Sequence, residues 1–194
     1  MLNKLILASK SKIRKKILDS NKIANEVIPS NVDEDSVKES LLRVKATPEI
    51  ISKNLAELKS NKISLAHSDR LVLGADSVID LDGELISKPE SREEAILILK
   101  KLNDKKHDLV SSVCISKNGK MIWNYTDKAS LTMKNFSNEE LKTYLSKITD
   151  DNLYAYNVYQ IEGKGRSLFS SIKGDENTIM GLPVKKIKEY LKKI

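Results

Sequence analysis

The sequence predicts a mixed α/β or α+β fold, a central mixed β-sheet flanked by helices. Three observations carry this. Short apolar, strand-like runs interleave with helix-periodic segments along the chain. Two junctions, Asp82-Gly83 and Asn118-Gly119, are hairpin turn signals that put antiparallel pairs into the sheet. No internal repeat, low-complexity linker or break in composition divides the 194 residues, and only seven Gly and four Pro are available to build joints. A single domain over residues 1–194 is therefore expected.

The elements follow in order. Leu5-Ile6-Leu7-Ala8 reads as a buried strand handing over, through Ser9-Lys10-Ser11, to the N-cap of a helix from about Lys12 to Ser20. Glu26-Val27-Ile28-Pro29 suggests a second strand, and Ser30 to Asp35 an acidic turn. Helical periodicity appears from Val37 to Val44 and again from Pro48, where Thr47-Pro48 is a cap and first-turn pair and Ile51, Leu55 and Leu58 repeat at helical steps. Arg70 to Ile79 is the strongest strand signal, with a short return through Leu85-Ile86. Ser91 to Leu102 is an amphipathic helix, acidic in its first turn and basic in its last, as the helix dipole favours. Val110 to Ser116 and Met121 to Met133 read as paired strands, and Ser137 to Leu145 as a helix opened by a Ser137/Glu140 capping box. A last helix starts near Pro183.

Composition narrows the function. With 40% hydrophobic and 31% charged residues the chain can build a core, which argues against disorder. A single cysteine, Cys114, excludes an internal disulfide framework and a Cys-based zinc cluster. The opening apolar run of four residues is far below the roughly 20 that a membrane span needs, so a cytoplasmic protein without a membrane partner is expected. The net charge of +7 favours anionic partners. Its lysines are scattered along the chain, so no stable nucleic-acid partner is expected.

Charges placed where burial is expected are the best pointers to chemistry. With Ile13 at zero on a helical wheel of roughly 100° per residue, Ile17 and Leu18 fall near 40° and 140° while Lys12, Lys15 and Lys16 lie between about 200° and 300°. Arg14, near 100° by the same roughly 100° step, is aimed along the buried stripe one turn after a Ser-rich helix start. Helix N–H groups, Ser hydroxyls and a guanidinium are together what a phosphate needs; a plain N-cap beside a snorkelling Arg is the alternative. In the strand, Asp76 interrupts an apolar run beside Gly74, either as a local cap or as a base or metal ligand. Asp33, Glu34 and Asp35 supply further carboxylates, which read as a solvated turn or as ligands for a hard cation that also holds substrate phosphates. Lys59 and Lys62 both border the Leu55 stripe, and geometry does not choose between them. No P-loop or dinucleotide fingerprint occurs.

Taken in order, Leu5-Ile6-Leu7-Ala8-Ser9-Lys10-Ser11 with Arg14, Val32-Asp33-Glu34, Leu55-Ala56 with Lys59, Gly74-Ala75-Asp76, Lys88-Pro89, Glu162-Gly163-Lys164-Gly165 and Gly181-Leu182-Pro183 resemble the Maf family over nearly the whole chain. The resemblance implies an inosine-triphosphatase-like fold, two lobes around a cleft. It implies hydrolysis of nucleoside triphosphates, modified or non-canonical ones included, to monophosphate and pyrophosphate with Mg2+ or Mn2+. Ser9 and Arg14 then match the motif holding the triphosphate, with Ser11 capping the same helix. Asp33 and Glu34 match the acidic pair after the second strand, and Asp76 the carboxylate that orients metal and water. Lys59 and Lys88 match the two phosphate-facing lysines. Glu162 stands where members carry Gln or Glu on the base or ribose side; with Asn177-Thr178 it leans toward the group acting on 7-methyl-GTP rather than on dTTP and UTP. A homodimer is implied by the same analogy. The competing class is a non-catalytic nucleotide or nucleic-acid binder in division control, suggested by the charge and by the family's association with septum formation.

Overall fold

A computed structural model describes residues 4–194, the side chains of Ala155 and Tyr156 excepted. The strands are β1 (Leu5–Leu7), β2 (Asn25–Val27), β3 (Val72–Leu81), β4 (Glu84–Ile86), β5 (Lys106–Lys117), β6 (Lys120–Met133) and β7 (Phe169–Lys173). The helices are α1 (Lys12–Ser20), α2 (Glu34–Arg43), α3 (Pro48–Ala66), α4 (Arg92–Leu102), α5 (Asn138–Leu145), α6 (Asp150–Tyr156), α7 (Glu176–Ile179) and α8 (Val184–Leu191), with a 3-10 turn at Lys164–Leu168. The strands form one mixed sheet in the order β2-β1-β3-β5-β6-β7, with β4 also on β3. β1 runs parallel to both its neighbours and every other pairing is antiparallel. The expected mixed α/β architecture is therefore present.

Apolar burial divides around this sheet. One cluster joins β1, α1 and α8 to the sheet through Leu7, Leu18, Leu73, Ile115 and Ile187. Another joins α4 and α5 to the far part of the sheet through Leu99, Leu102, Leu131, Leu141 and Phe169. Each fully buried side chain of this kind contributes roughly 1.5–3 kcal/mol. Between the two clusters lies a fault in the pairing of β3. Along β3, β1 pairs with Val72 and Leu73 and β4 with Ile79 to Leu81, so residues 74–78 have no strand partner on that edge among the described residues.

α3 covers the opposite face of β3 unusually closely. Ser52, Ala56, Ser60 and Ser64, all buried, recur every fourth residue and so form one stripe of small side chains. A Cβ at Gly74 would lie 2.1 Å from the Ala56 carbonyl oxygen and 2.8 Å from the Ser60 nitrogen, so helix and strand touch backbone to backbone. Ser52 donates to the Asp76 carbonyl at 3.1 Å, tying the two elements at the acid.

Local signals placed most helix starts: Ser11, Thr47 and Ser137 each cap as expected, the last with a full capping box, while Ser91, expected as the first residue of α4, is its cap. The Ser30–Asp35 turn is cut short, because the Asp33 carboxylate accepts from Ser36 and α2 begins at Glu34. β5 starts four residues before the expected Val110, continuing its ladder with β6. α6, the 3-10 turn and α7 lie where sequence periodicity predicts nothing. No helix of the described residues is long and apolar enough to cross a membrane.

Candidate active site

The unpaired stretch of β3 opens into a cavity of about 790 Å3. The N-terminus of α1, the start of α2, the middle of α3 and the segment around Gln160 converge there, so its walls come from both sides of the pairing fault. A shallower groove of about 970 Å3 between α5 and the 3-10 turn, lined in part by Phe136, Tyr144 and Arg166, gathers none of the expected site residues.

Arg14 enters the cavity along the buried side of α1, as its position on the helical wheel implied. Its Nη1 donates to the Ala75 carbonyl at 2.9 Å, continuing the ladder in which Ile6 and Ala8 amides donate to the Leu71 and Leu73 carbonyls. Nη1 also reaches Ser9 Oγ at 3.2 Å, Nη2 reaches Ser77 Oγ at 3.1 Å, and Nε donates to the Gly181 carbonyl at 2.9 Å. Gly181 sits at φ +93°, and a Cβ there would meet Ser77 Oγ at 2.9 Å and the guanidinium at 3.3 Å. Only glycine brings its carbonyl to Arg14. Ser11 Oγ caps the helix by accepting from the Arg14 amide at 3.3 Å, and Ser9 Oγ accepts from the Ser11 amide at 3.2 Å.

Opposite this bracket, Lys59 Nζ lies 2.8 Å from Asp76 Oδ1 and 2.9 Å from Glu34 Oε1. Lys59 and Asp76 are buried, while the Glu34 side chain keeps 41% exposure. Of the two lysines that flank the Leu55 stripe, Lys59 is therefore the one in the cavity; Lys62 instead donates to the Asn31 carbonyl. Asp76 Oδ2 is buried and has no hydrogen-bond partner among the described residues. Burial alone would raise the Glu34 carboxyl, but the charge and hydrogen bond of Lys59, with Lys38 and Arg14 behind, hold it below its usual value. Burial lowers the Lys88 ammonium, and the positive charge of Arg14 lowers it further. Burial also pulls Arg14 down, against Asp76 and Glu34, which favour its charge.

Six cationic side chains line the cavity against four carboxylates, a balance suited to a polyanion. Lys10, Lys12 and Lys38 belong to this set; the charge pattern around the α1 start could have suggested the first two, while Lys38 lies on α2. Glu162 is exposed at the rim, near Gln160 and Asn157. Asp33 caps α2 and is not among the lining residues; Asn177 bonds Asp175, and Thr178 is buried on Asp127, both outside the lining. Among the described residues no three His, Cys, Asp or Glu side chains form a metal cage. Asp76 and Glu34 nevertheless fit a hard divalent cation, which takes one or two carboxylates and completes its shell with substrate phosphates and water. The unpartnered, buried Asp76 oxygen is the acceptor such an ion requires.

A family profile described as "Maf-like protein" matches residues 4–194. The chain is 71% identical over 192 residues to a nucleoside triphosphate pyrophosphatase of Pelagibacter ubique (strain HTCC1062), covering 99% of this chain and 98% of that protein. It is 37% identical over 187 residues to a nucleoside triphosphate pyrophosphatase of Ruegeria pomeroyi, covering 96% and 94%. It is also 35% identical over 184 residues to a 7-methyl-GTP pyrophosphatase of Brucella abortus biovar 1, covering 95% and 92%.

Proposed function

Because this chain belongs to the Maf-like protein family, we propose that its cavity hydrolyses nucleoside triphosphates to the monophosphate and pyrophosphate, clearing modified or non-canonical nucleotides. The observation that carries the reading is the buried carboxylate of Asp76, one oxygen on Lys59 and the other without a partner, set in a wall facing a ring of cations.

The chemistry follows from that arrangement. Water attacks the α-phosphorus; an O–P bond forms, the bond to the bridging oxygen breaks, and pyrophosphate leaves with the electron pair. Charge builds on the phosphoryl oxygens and on the leaving group, so positioning and electrostatic stabilisation supply most of the rate. Arg14, Lys59 and Lys88 supply positive charge, and the amide end of α1 beside Ser9 and Ser11 supplies N–H donors and the positive end of the helix dipole. Asp76 orients the attacking water and takes up its proton. Glu34, held ionised by Lys59, completes the acidic pair. A divalent cation such as Mg2+ or Mn2+, held by Asp76 and Glu34, would neutralise charge on the phosphates.

The base lies toward Glu162, Gln160 and Asn157. A carboxylate at that end complements 7-methylguanine, whose ring carries a positive charge, so 7-methyl-GTP is the substrate to weigh first against dTTP and UTP.

The test is incubation of the pure protein with a panel of normal and methylated triphosphates in Mg2+ or Mn2+, with monophosphate and pyrophosphate read by chromatography. Turnover of at least one triphosphate, lost in Asp76→Asn and on addition of EDTA, is expected. No turnover of any of them would remove the proposal.

A further inference from the structure

A line of hydroxyl groups runs away from Arg14 through the sheet, and its proton order is fully determined. Arg14 Nη2 donates to Ser77 Oγ at 3.1 Å. Ser77 Oγ and Ser111 Oγ are 2.8 Å apart, and Ser111 Oγ donates to the Thr178 carbonyl at 2.7 Å. A serine hydroxyl has one proton to give. Since Ser111 spends its proton on Thr178, the Ser77 proton goes to Ser111, which leaves the Ser77 lone pairs for the guanidinium. Each donor thus points the same way, from a cation at one end to a carbonyl at the other. Such a chain strengthens its own members by mutual polarisation.

Ser111 and Thr178 are fully buried. Thr178 is held from its other side as well, its Oγ1 donating to Asp127 Oδ2 at 2.6 Å on β6. The carbonyl of Gly181, three residues beyond Thr178, takes the Arg14 Nε proton. One short segment therefore grips the guanidinium twice, directly through Gly181 and indirectly through Thr178, Ser111 and Ser77. None of these three hydroxyl residues bears a charge, and Ser111 and Thr178 do not line the cavity.

We propose that Ser77 and Ser111 are positioning residues for triphosphate binding: they lock the Arg14 guanidinium against the sheet in one orientation, so that it meets the phosphates already aligned. The proposal rests on the reading of Arg14 as a triphosphate-gripping group. Preorganisation of this kind cuts the ordering cost of binding. Without Ser111 the Ser77 hydroxyl turns to other acceptors, and Nη2 loses its fixed partner.

The test is a double-mutant cycle read with inorganic tripolyphosphate, which carries no base, by calorimetry on the full chain in Mg2+. Arg14→Lys is expected to weaken binding by about ten-fold or more, the range of hydrogen bonds to charged groups, and Ser111→Ala by about five-fold, the range of a neutral hydrogen bond. The double variant should bind no more weakly than Arg14→Lys alone, since Ser111 acts only through Arg14. Turnover in Ser111→Ala should show KM raised more than kcat is lowered. Losses that multiply in the double variant, or an unaltered Ser111→Ala beside a weakened Arg14→Lys, would overturn the proposal and leave the phosphate role of Arg14 standing. Undiminished tripolyphosphate binding in Arg14→Lys would instead remove that underlying role, and the proposal with it. Should Arg14→Lys melt below the assay temperature, Ser77→Ala and Ser111→Ala form the cycle: combined they should cost no more than Ser77→Ala alone, and multiplying losses refute the shared line.

Discussion

Replacing Lys59 by Met removes the ammonium that stands 2.8 Å from Asp76 and 2.9 Å from Glu34. The two carboxylates do not suffer equally. Glu34 keeps 41% of its side chain in water and recovers most of its solvation, so little stability is lost there. The Asp76 side chain is only 8% exposed, and its second oxygen already has no partner among the described residues, so it loses the cation in contact with it and keeps only the charge interaction with Arg14. Breaking a buried pair in this way costs about 3–5 kcal/mol. In a chain of this size 1 kcal/mol is worth roughly 2–4 °C, so Lys59→Met should melt about 10 °C below the native protein at pH 7.5. The decisive comparison is Lys59→Met/Asp76→Asn, which removes the stranded charge as well. It should regain about 2 kcal/mol over Lys59→Met, although both are inactive, because an unpaired buried amide is cheaper than an unpaired carboxylate. Urea unfolding followed by circular dichroism measures both. A double variant no more stable than Lys59→Met would show that Asp76 does not depend on Lys59, and the account of the pair would be wrong.

Three other outcomes are expected. Gly74→Ala forces a Cβ to 2.1 Å from the Ala56 carbonyl, so α3 must move off β3; a loss of roughly 2–3 kcal/mol in urea unfolding should come with a fall in kcat as Lys59 leaves Asp76. Burial lowers His107 from its ordinary value of 6.5 to about 4, so the unfolded chain binds the proton first; the stability this neutral ring confers is complete above pH 6.5 and drains away as pH falls toward 4, by about 3 kcal/mol. His107→Gln should narrow the gap to the native protein by that amount between pH 7 and 4, and a constant gap would refute the assignment. Because burial and Arg14 lower the Lys88 ammonium, the alkaline limb of kcat/KM should fall below the ordinary lysine value and move upward in Lys88→Arg, whose guanidinium does not titrate there; an unmoved limb points to another group.

What the sequence discloses divides along physical lines. The long strands and capped helices were legible, because apolar periodicity and the Ser11, Thr47, Ser91 and Ser137 caps are local. α2 was half hidden, since it buries no side chain and offered little apolar pattern. β7 exists through its register with Ser130 to Met133, and nothing within Phe169–Lys173 announces that partner. The inward aim of Arg14 was visible on a helical wheel, but Gly181 is 167 positions away and its carbonyl leaves no trace in composition. Ser77 and Ser111 were silent for a further reason: a serine inside a strand reads as ordinary alternation until its cross-strand neighbour is known.

The break in strand pairing along residues 74–78 also exposes the protein to a hazard. A naked stretch of sheet edge recruits foreign strands, and natural proteins shield such edges with charge. Here the shield is the guanidinium on the Ala75 carbonyl. The side chain proposed to grip a polyphosphate thus also stands as a sentry against self-association, and solubility should decline along with turnover wherever that arginine is exchanged for a small neutral residue.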